Sequence, residues 1–122
     1  PIGPKKLLDV MVVAPCTGTT LSRLAMGISD TAVTLACKAH LRNGRPVVVA
    51  ISTNDGLGAN LHNVATMLNR KYIYFVPFGQ DDPEGKPRSL VARMELLCET
   101  IVAALRGEQI QPVILGNIKK EI

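Results

Sequence analysis

Tryptophan is absent from this chain, and its 122 residues include only two tyrosines and two phenylalanines. A core built here must therefore rest on Val, Leu, Ile, Ala and Met. The same scarcity argues against single-stranded nucleic-acid binding, which stacks bases on aromatic rings. Cysteine is sparse too. Cys16, Cys37 and Cys98 are odd in number and fall in no CxxC or Cys/His spacing, so reduced thiols are expected, with neither disulfides nor a metal site. No apolar run approaches membrane-spanning length, and no signal-peptide pattern opens the chain. A start at Pro1 without an initiator Met is what a trimmed or partial protein would show.

What is present describes a globular domain. Apolar residues make up 47% of the chain, and 122 residues suffice for one domain with a usable core. The net charge is +4, but the basic residues are scattered, with tight pairs at Lys5-Lys6, Arg70-Lys71 and Lys119-Lys120. Such a balance suits small anionic ligands at least as well as nucleic acid, and most often marks a solvated surface.

Apolar runs and helical periodicities alternate along the chain. After a lead-in over Pro1–Lys6, Val10–Ala14 reads as a strand buried on both faces. It stops at Pro15 and opens into a small-residue loop through Thr20. A helix over Thr20–Ile28 ends near Gly27, and Ser29 or Asp30 caps another over Thr31–Leu41, closed by Asn43-Gly44. Pro46–Ile51 reads as the second buried strand, opening into the polar, glycine-rich Ser52–Gly58. A helix over Ala59–Asn69 follows, with Leu61, Val64, Ala65 and Leu68 as its apolar stripe. Tyr72–Pro77 reads as a third strand, and Phe78–Ser89 as a long polar loop. Ser89 is then expected to cap the longest helix, Leu90–Arg106, stopped by Gly107. Ile110–Leu115 adds a short extended segment before a loose tail over residues 116–122.

This alternation predicts a single α/β domain of the doubly wound kind, a parallel sheet with right-handed crossover helices. Ligands of such sheets bind at the carboxyl ends of the strands, where Pro15–Thr20 and Ser52–Gly58 both lie. A strand entering a hydroxyl-rich turn and then a helix gathers backbone N–H groups and a positive dipole end at one point, a ready anion site. Three strands make a thin sheet, and the first has an apolar, open edge. The expectation is that about two βα units precede this portion, or that another chain covers the edge.

The segment APCTGTTLSRLAMGISD (Ala14–Asp30) resembles the flavoprotein family of homo-oligomeric cysteine decarboxylases and flavin prenyltransferases. Pro15, Cys16, Thr17 and Thr20 fall on that family's strand-end loop, and Gly27 and Asp30 on its helix-end pattern. Ser52-Thr53-Asn54 falls where the decarboxylases carry Pro-x-Met-Asn. Longer segments, Leu41–Asn60 and Ile73–Leu97, resemble the B-subunit family of dipicolinate synthases from endospore-forming bacteria, a likeness that runs nearly to Leu115. The resemblance implies a three-layer flavodoxin-like or Rossmann-like flavoprotein that binds flavin mononucleotide (FMN), homo-oligomerises and resides in the mother-cell cytosol of a sporulating bacterium. It implies an oxidoreductase subunit that turns a dihydro- or tetrahydrodipicolinate precursor, a small dicarboxylate, into dipicolinate. Its partner, the A subunit of dipicolinate synthase, supplies NAD(P). Family members carry a further Gly-rich phosphate-binding turn that this sequence lacks.

The resemblance also assigns roles by position. Pro15, Cys16, Thr17, Gly18, Thr19, Thr20, Ser52 and Thr53 would hold the cofactor, with Thr17–Thr20 around the flavin phosphate and ring edge. A plain N-capping turn is the alternative. Thr19 stands where the family usually has Asn, and a hydroxyl cannot offer an amide's paired donor and acceptor. Asn54 would face substrate or flavin as the catalytic-site amide, or else cap a helix. Asp55 is a substrate-binding candidate or a turn residue. Arg88 is the candidate carboxylate clamp, with Gln80 and Asp81 in the same loop. Cys16 reads either as a thiol activated at a helix N-terminus or as a small packing residue. Cys37 and Cys98 read as core or interface, and His40 and His62 as surface or partly buried. The Met and Trp that follow Asn in the decarboxylases are missing, which argues against peptidyl-cysteine decarboxylation. A prenyltransferase or decarboxylase relative and a non-catalytic, partner-supporting subunit remain the competing readings.

Overall fold

Five consecutive residues, Val47 to Ile51, are each at most 1% exposed and open strand β2 (Val47–Thr53). This computed structural model describes residues 9–116. The expected lead-in, the pairs Lys5-Lys6 and Lys119-Lys120, and all but the first residue of the expected tail lie outside them. On one side β2 pairs in parallel with β1 (Met11–Thr17), in register Val13↔Val49 and Thr17↔Ser52. On the other side its first half pairs in parallel with β3 (Ile73–Phe75). Its last two residues pair antiparallel with β5 (Leu90–Ala92), which in turn pairs antiparallel with β4 (Phe78–Gly79). The fold is α/β with a parallel-dominated sheet, as the alternation of elements predicts, but the sheet is mixed.

Three helices cover one face. α1 (Gly18–Met26) and α2 (Ala32–Arg42) join β1 to β2, and α3 (Leu61–Leu68) joins β2 to β3. Leu21, Leu24, Cys37, Val64 and Met67 from these helices pack on Val13, Val47, Val49, Ile51 and Phe75. α4 (Leu97–Leu105), entered through a 3₁₀ turn over Met94–Leu96, covers the other face, with Ala104 packed in the cluster of Val48, Ala50 and Val76. Burial of each such Val or Ile contributes about 1.5–3 kcal/mol, so β2 carries a large part of the stability.

Several boundaries and faces differ from the pattern reading. β1 does not stop at Pro15. It slips register between Val13 and Cys16 and continues to Thr17, so no loop separates strand from helix. Proline is tolerated there because β1 pairs on one side only among the described residues. That strand is not buried on both faces, since Val12 is 37% exposed and Ala14 is exposed too. The α2 cap is Thr31, not Ser29 or Asp30. Its side chain accepts from the Thr34 N–H while the Thr34 hydroxyl accepts from the Thr31 N–H. On α3 the buried positions are Asn63, Val64 and Met67, and Leu61 and Ala65 face out. The helix expected from Leu90 begins at Leu97, because Leu90–Ala92 is recruited to the sheet, and Ser89 caps nothing. Cys98 is exposed, not core. The extended tail is real: Phe78 N–H donates to Val113 O, and Leu115 N–H to Phe78 O.

Among the described residues β3 has no second strand partner, and Gln109 takes that place. Its Oε1 accepts from the Phe75 N–H at 2.7 Å and its Nε2 donates to the Phe75 carbonyl at 2.6 Å. Replacing Gln109 by Ala leaves both backbone groups without a protein partner, which costs about 1–3 kcal/mol per unsatisfied group. A lowered urea midpoint with unchanged far-UV circular dichroism is the expected outcome for Gln109→Ala.

Candidate functional site

The carboxyl ends of β1 and β2 lie side by side, so the first turn of α1 and the segment after β2 meet across a groove of about 480 Å³. Thr17, Gly18, Thr19 and Ser22 line one side, and Ser52–Asp55 with Asn60 the other. Thr17 is the N-cap of α1; its hydroxyl oxygen accepts from the Thr20 N–H at 3.4 Å. The N–H groups of Gly18 and Thr19 belong to the orphan donors of a helix start, and the first turn of α1 holds no acidic residue of its own.

Asp55 supplies the groove's one carboxylate. Its Oδ1 accepts from the Thr53 hydroxyl at 2.6 Å and from Asn60 Nδ2 at 3.0 Å. Those hydrogen bonds, Asn60 first, hold its carboxyl below the usual range. A lowered value in the folded chain means the ionised form is favoured by folding; that contribution is complete above the ordinary carboxylate range and is lost as pH falls through the lowered value. Among the described residues no lysine, arginine or histidine lines the groove. It therefore offers hydroxyls, amides, helix-start N–H groups and one acceptor pair, and suits a ligand that both donates and accepts hydrogen bonds.

A second groove of about 460 Å³ lies across Asn54, lined by Lys86, Pro87 and Arg88. The loop that carries it is built, not slack. Asp82 Oδ1 accepts from the Gly85 N–H, Gln80 Nε2 donates to Pro87 O at 2.9 Å, and the Leu57 N–H donates to Arg88 O at 2.9 Å. Exposed Asn54 thus stands between a neutral-to-acidic groove and one bearing two cations.

The residues singled out by sequence are placed unevenly. Thr17, Gly18, Thr19, Ser52, Thr53, Asn54 and Asp55 converge on the first groove, and Arg88 reaches the second with Asn54. Pro15 is exposed on β1 outside the groove, and the Thr20 hydroxyl is held by Thr17 at 3.3 Å. Gln80 and Asp81 line a different hollow with Arg93. The Cys16 side chain is fully buried in the core; burial, with the nearby Cys37 thiol adding to it, pushes its pKa up to about 12. The packing role fits this and the activated thiol does not. Cys37 is buried with its pKa pushed up to about 11, His62 is exposed and His40 half-buried. No cluster of three metal-ligating side chains occurs among the described residues. Ser22 and Asn60 are not legible as site residues, since in sequence each falls inside an expected helix, Thr20–Ile28 or Ala59–Asn69.

A parallel-dominated α/β sheet with a polar groove at a helix start and the carboxyl ends of neighbouring strands is the architecture of the doubly wound class, whose ligands bind at such a point. The chain belongs to the Flavoprotein family, whose model matches residues 2–105. It is 52% identical over 117 residues to the dipicolinate synthase B subunit of Bacillus subtilis, covering 96% of this chain and 58% of that protein. The crystal structure of the dipicolinate synthase B subunit from Bacillus halodurans superposes with a TM-score of 0.88 at 57% identity, over 97% of this chain and 60% of that one. The chain thus spans about three-fifths of the length of these relatives. An FMN-dependent cysteine decarboxylase, SpaF, gives a TM-score of 0.56 at 27% identity over 79% of this chain and 52% of its own. No helix among the described residues is long and apolar enough to cross a membrane.

Two outcomes follow from the packing. A Cβ on Gly18 would sit 2.8 Å from Thr53 Oγ1 and 2.9 Å from Asn60 Nδ2, both engaged in hydrogen bonds. Gly18→Ala is therefore expected to lower stability by about 1–3 kcal/mol in urea unfolding, against alanine's helix preference of about 1 kcal/mol. In thiol titration at pH 8, exposed Cys98 should react in the native chain while buried Cys16 and Cys37 wait for denaturant.

Proposed function

We propose that this chain forms the flavin-holding part of a dipicolinate synthase B-type subunit, an oxidoreductase component that works with the synthase's A subunit. The reading is carried by the convergence of Thr17–Thr19 and Ser52–Asp55 on one groove, in a chain 52% identical to a dipicolinate synthase B subunit. The proposed reaction takes a dihydro- or tetrahydrodipicolinate precursor to the aromatic pyridine-2,6-dicarboxylate. Each dehydrogenation removes two electrons and two protons from the ring, and NAD(P) on the A subunit is the final acceptor.

The residues present fit the polar edge of a flavin. The side chain of any residue but glycine at position 18 would fill the cradle at the start of α1. Thr17, Thr19, Ser22 and Ser52 add hydroxyls on both sides. A bound FMN would supply a two-electron acceptor at this point. The Gly18 and Thr19 N–H groups would donate to its acceptor oxygens, and the Asp55 carboxylate would accept from its donors. Pro15 and Thr20 would support the turn from behind, Cys16 would do so by packing alone, and Thr53 by orienting Asp55. With one carboxylate and no cationic side chain in the groove, the phosphate would rest on helix-start N–H groups alone.

Asn54 would touch the substrate, donating its amide N–H to a ring carboxylate. Arg88, across the second groove, would take the other carboxylate as a two-point clamp. Self-association into a homo-oligomer and a mother-cell cytosolic location belong to the same proposal.

Titrating FMN into the protein tests the assignment. Saturable uptake, with a shifted flavin absorption band and altered fluorescence, is the expected result. Absence of uptake would overturn the flavin assignment and favour a protein that supports its partner without chemistry of its own.

A further inference from the structure

Asn60 stands at the N-cap of α3, where asparagine ordinarily turns its side chain back to the N–H groups of its own helix. Here it makes no such bond. The side chain is turned instead toward the groove, in a residue only 8% exposed. Its Nδ2 donates to Asp55 Oδ1 at 3.0 Å and to the Gly18 carbonyl at 3.4 Å, while its Oδ1 accepts from Asn63 Nδ2 at 2.7 Å. Its backbone N–H donates to the Asp55 carbonyl at 3.0 Å. Both Nδ2 protons are thus committed, one to each side of the groove. Among the described residues no other side-chain hydrogen bond joins the first turn of α1 to the segment after β2. Asn63, buried at 6%, holds the amide from behind.

We infer that Asn60 is a positioning residue that fixes the two walls of the groove relative to each other and thereby sets its affinity for flavin. The inference rests on the flavin reading proposed above. A purely structural amide would be satisfied by capping α3. This one forgoes that bond and spans 42 residues of sequence to hold the helix start that presents the Gly18 and Thr19 N–H groups. The Gly18 carbonyl is the point gripped, so losing the bond would let the first turn of α1 swing while the sheet beneath stays intact.

The test compares wild type, Asn60→Ala and Thr100→Ala by FMN titration, thermal unfolding and amide hydrogen exchange. Thr100 is buried as well, and its hydroxyl donates to Leu96 O on the opposite face of the sheet, so its variant reports general destabilisation. Asn60→Ala is expected to weaken FMN binding about tenfold, a loss of about 1.4 kcal/mol, and Thr100→Ala to leave it within about twofold at a similar Tm. Exchange at Leu21 and Ser22, whose N–H groups close the first turn of α1, should quicken in Asn60→Ala alone. Equal FMN affinity in wild type and Asn60→Ala, or equal losses in both variants, would overturn the inference. A wild type that takes up no FMN would overturn the proposed function instead, and the exchange comparison would still decide whether Asn60 positions the turn. Should Asn60→Ala not fold, Asn63→Ala removes the rear support alone and is expected to give the same effects at smaller amplitude; no effect there would overturn the inference.

Discussion

The dry run of β2 constrains everything else in this molecule. Val47 to Ile51 are closed off from water on both faces and bonded along both edges, so helices must cover both sides and each flanking strand must match its register. The strand becomes wettable only at its carboxyl end, at exposed Ser52. The polar groups of Ser52–Asp55 can sit there at little desolvation cost. The groove is where it is because the core ends there.

Around that end the chemistry is divided by geometry. The groove between the helix start and Asp55 holds no cationic side chain, whereas the hollow beyond Asn54 holds Lys86 and Arg88. A ligand rich in both donors and acceptors and a ligand carrying carboxylates would therefore sort to opposite sides of one amide. Asp55 contributes to this sorting by staying ionised, fixed by the Asn60 amide and the Thr53 hydroxyl. A carboxylate so placed would accept from the donors of the first ligand and disfavour a second ligand's carboxylate beside it.

Local pattern identified β1, β2, β3 and most helices because their apolar spacing is set by neighbours close in sequence, whereas β4 reads as loop and β5 as helix. It located both groove walls for the same reason, since Thr17–Thr19 and Ser52–Asp55 are strand ends. It failed where distant pairing decides. Val91 and Met94 keep helical spacing with Leu97 and Ile101, yet Leu90–Ala92 joins the sheet because the exposed end of β2 offers Ser52 and Thr53 as partners. Pro15 reads as a strand breaker, but a strand paired on one side tolerates it. Asn60 reads only as one residue of the helix expected over Ala59–Asn69; only the position of Gly18, 42 residues away, shows what the amide holds. The exposed Leu61 misleads in the opposite direction, an apolar residue that helical spacing assigns to the buried stripe, and Cys98, read as core or interface, is not core.

The β4–β5 hairpin carries a consequence for how such a domain can diversify. Both ends of the loop between Gly79 and Leu90 are pinned to the sheet, and Arg88 is tied by its carbonyl to Leu57. Length and charge inside that loop can then change without disturbing the hydrophobic layers, because none of the residues from Gln80 to Arg88 is buried. The segment behaves as an exchangeable cassette that would retune the cationic hollow while the wall held by Asn60 stays as it is. Ligand preference and foldability are thereby separable traits in this architecture, free to vary on different stretches of one chain.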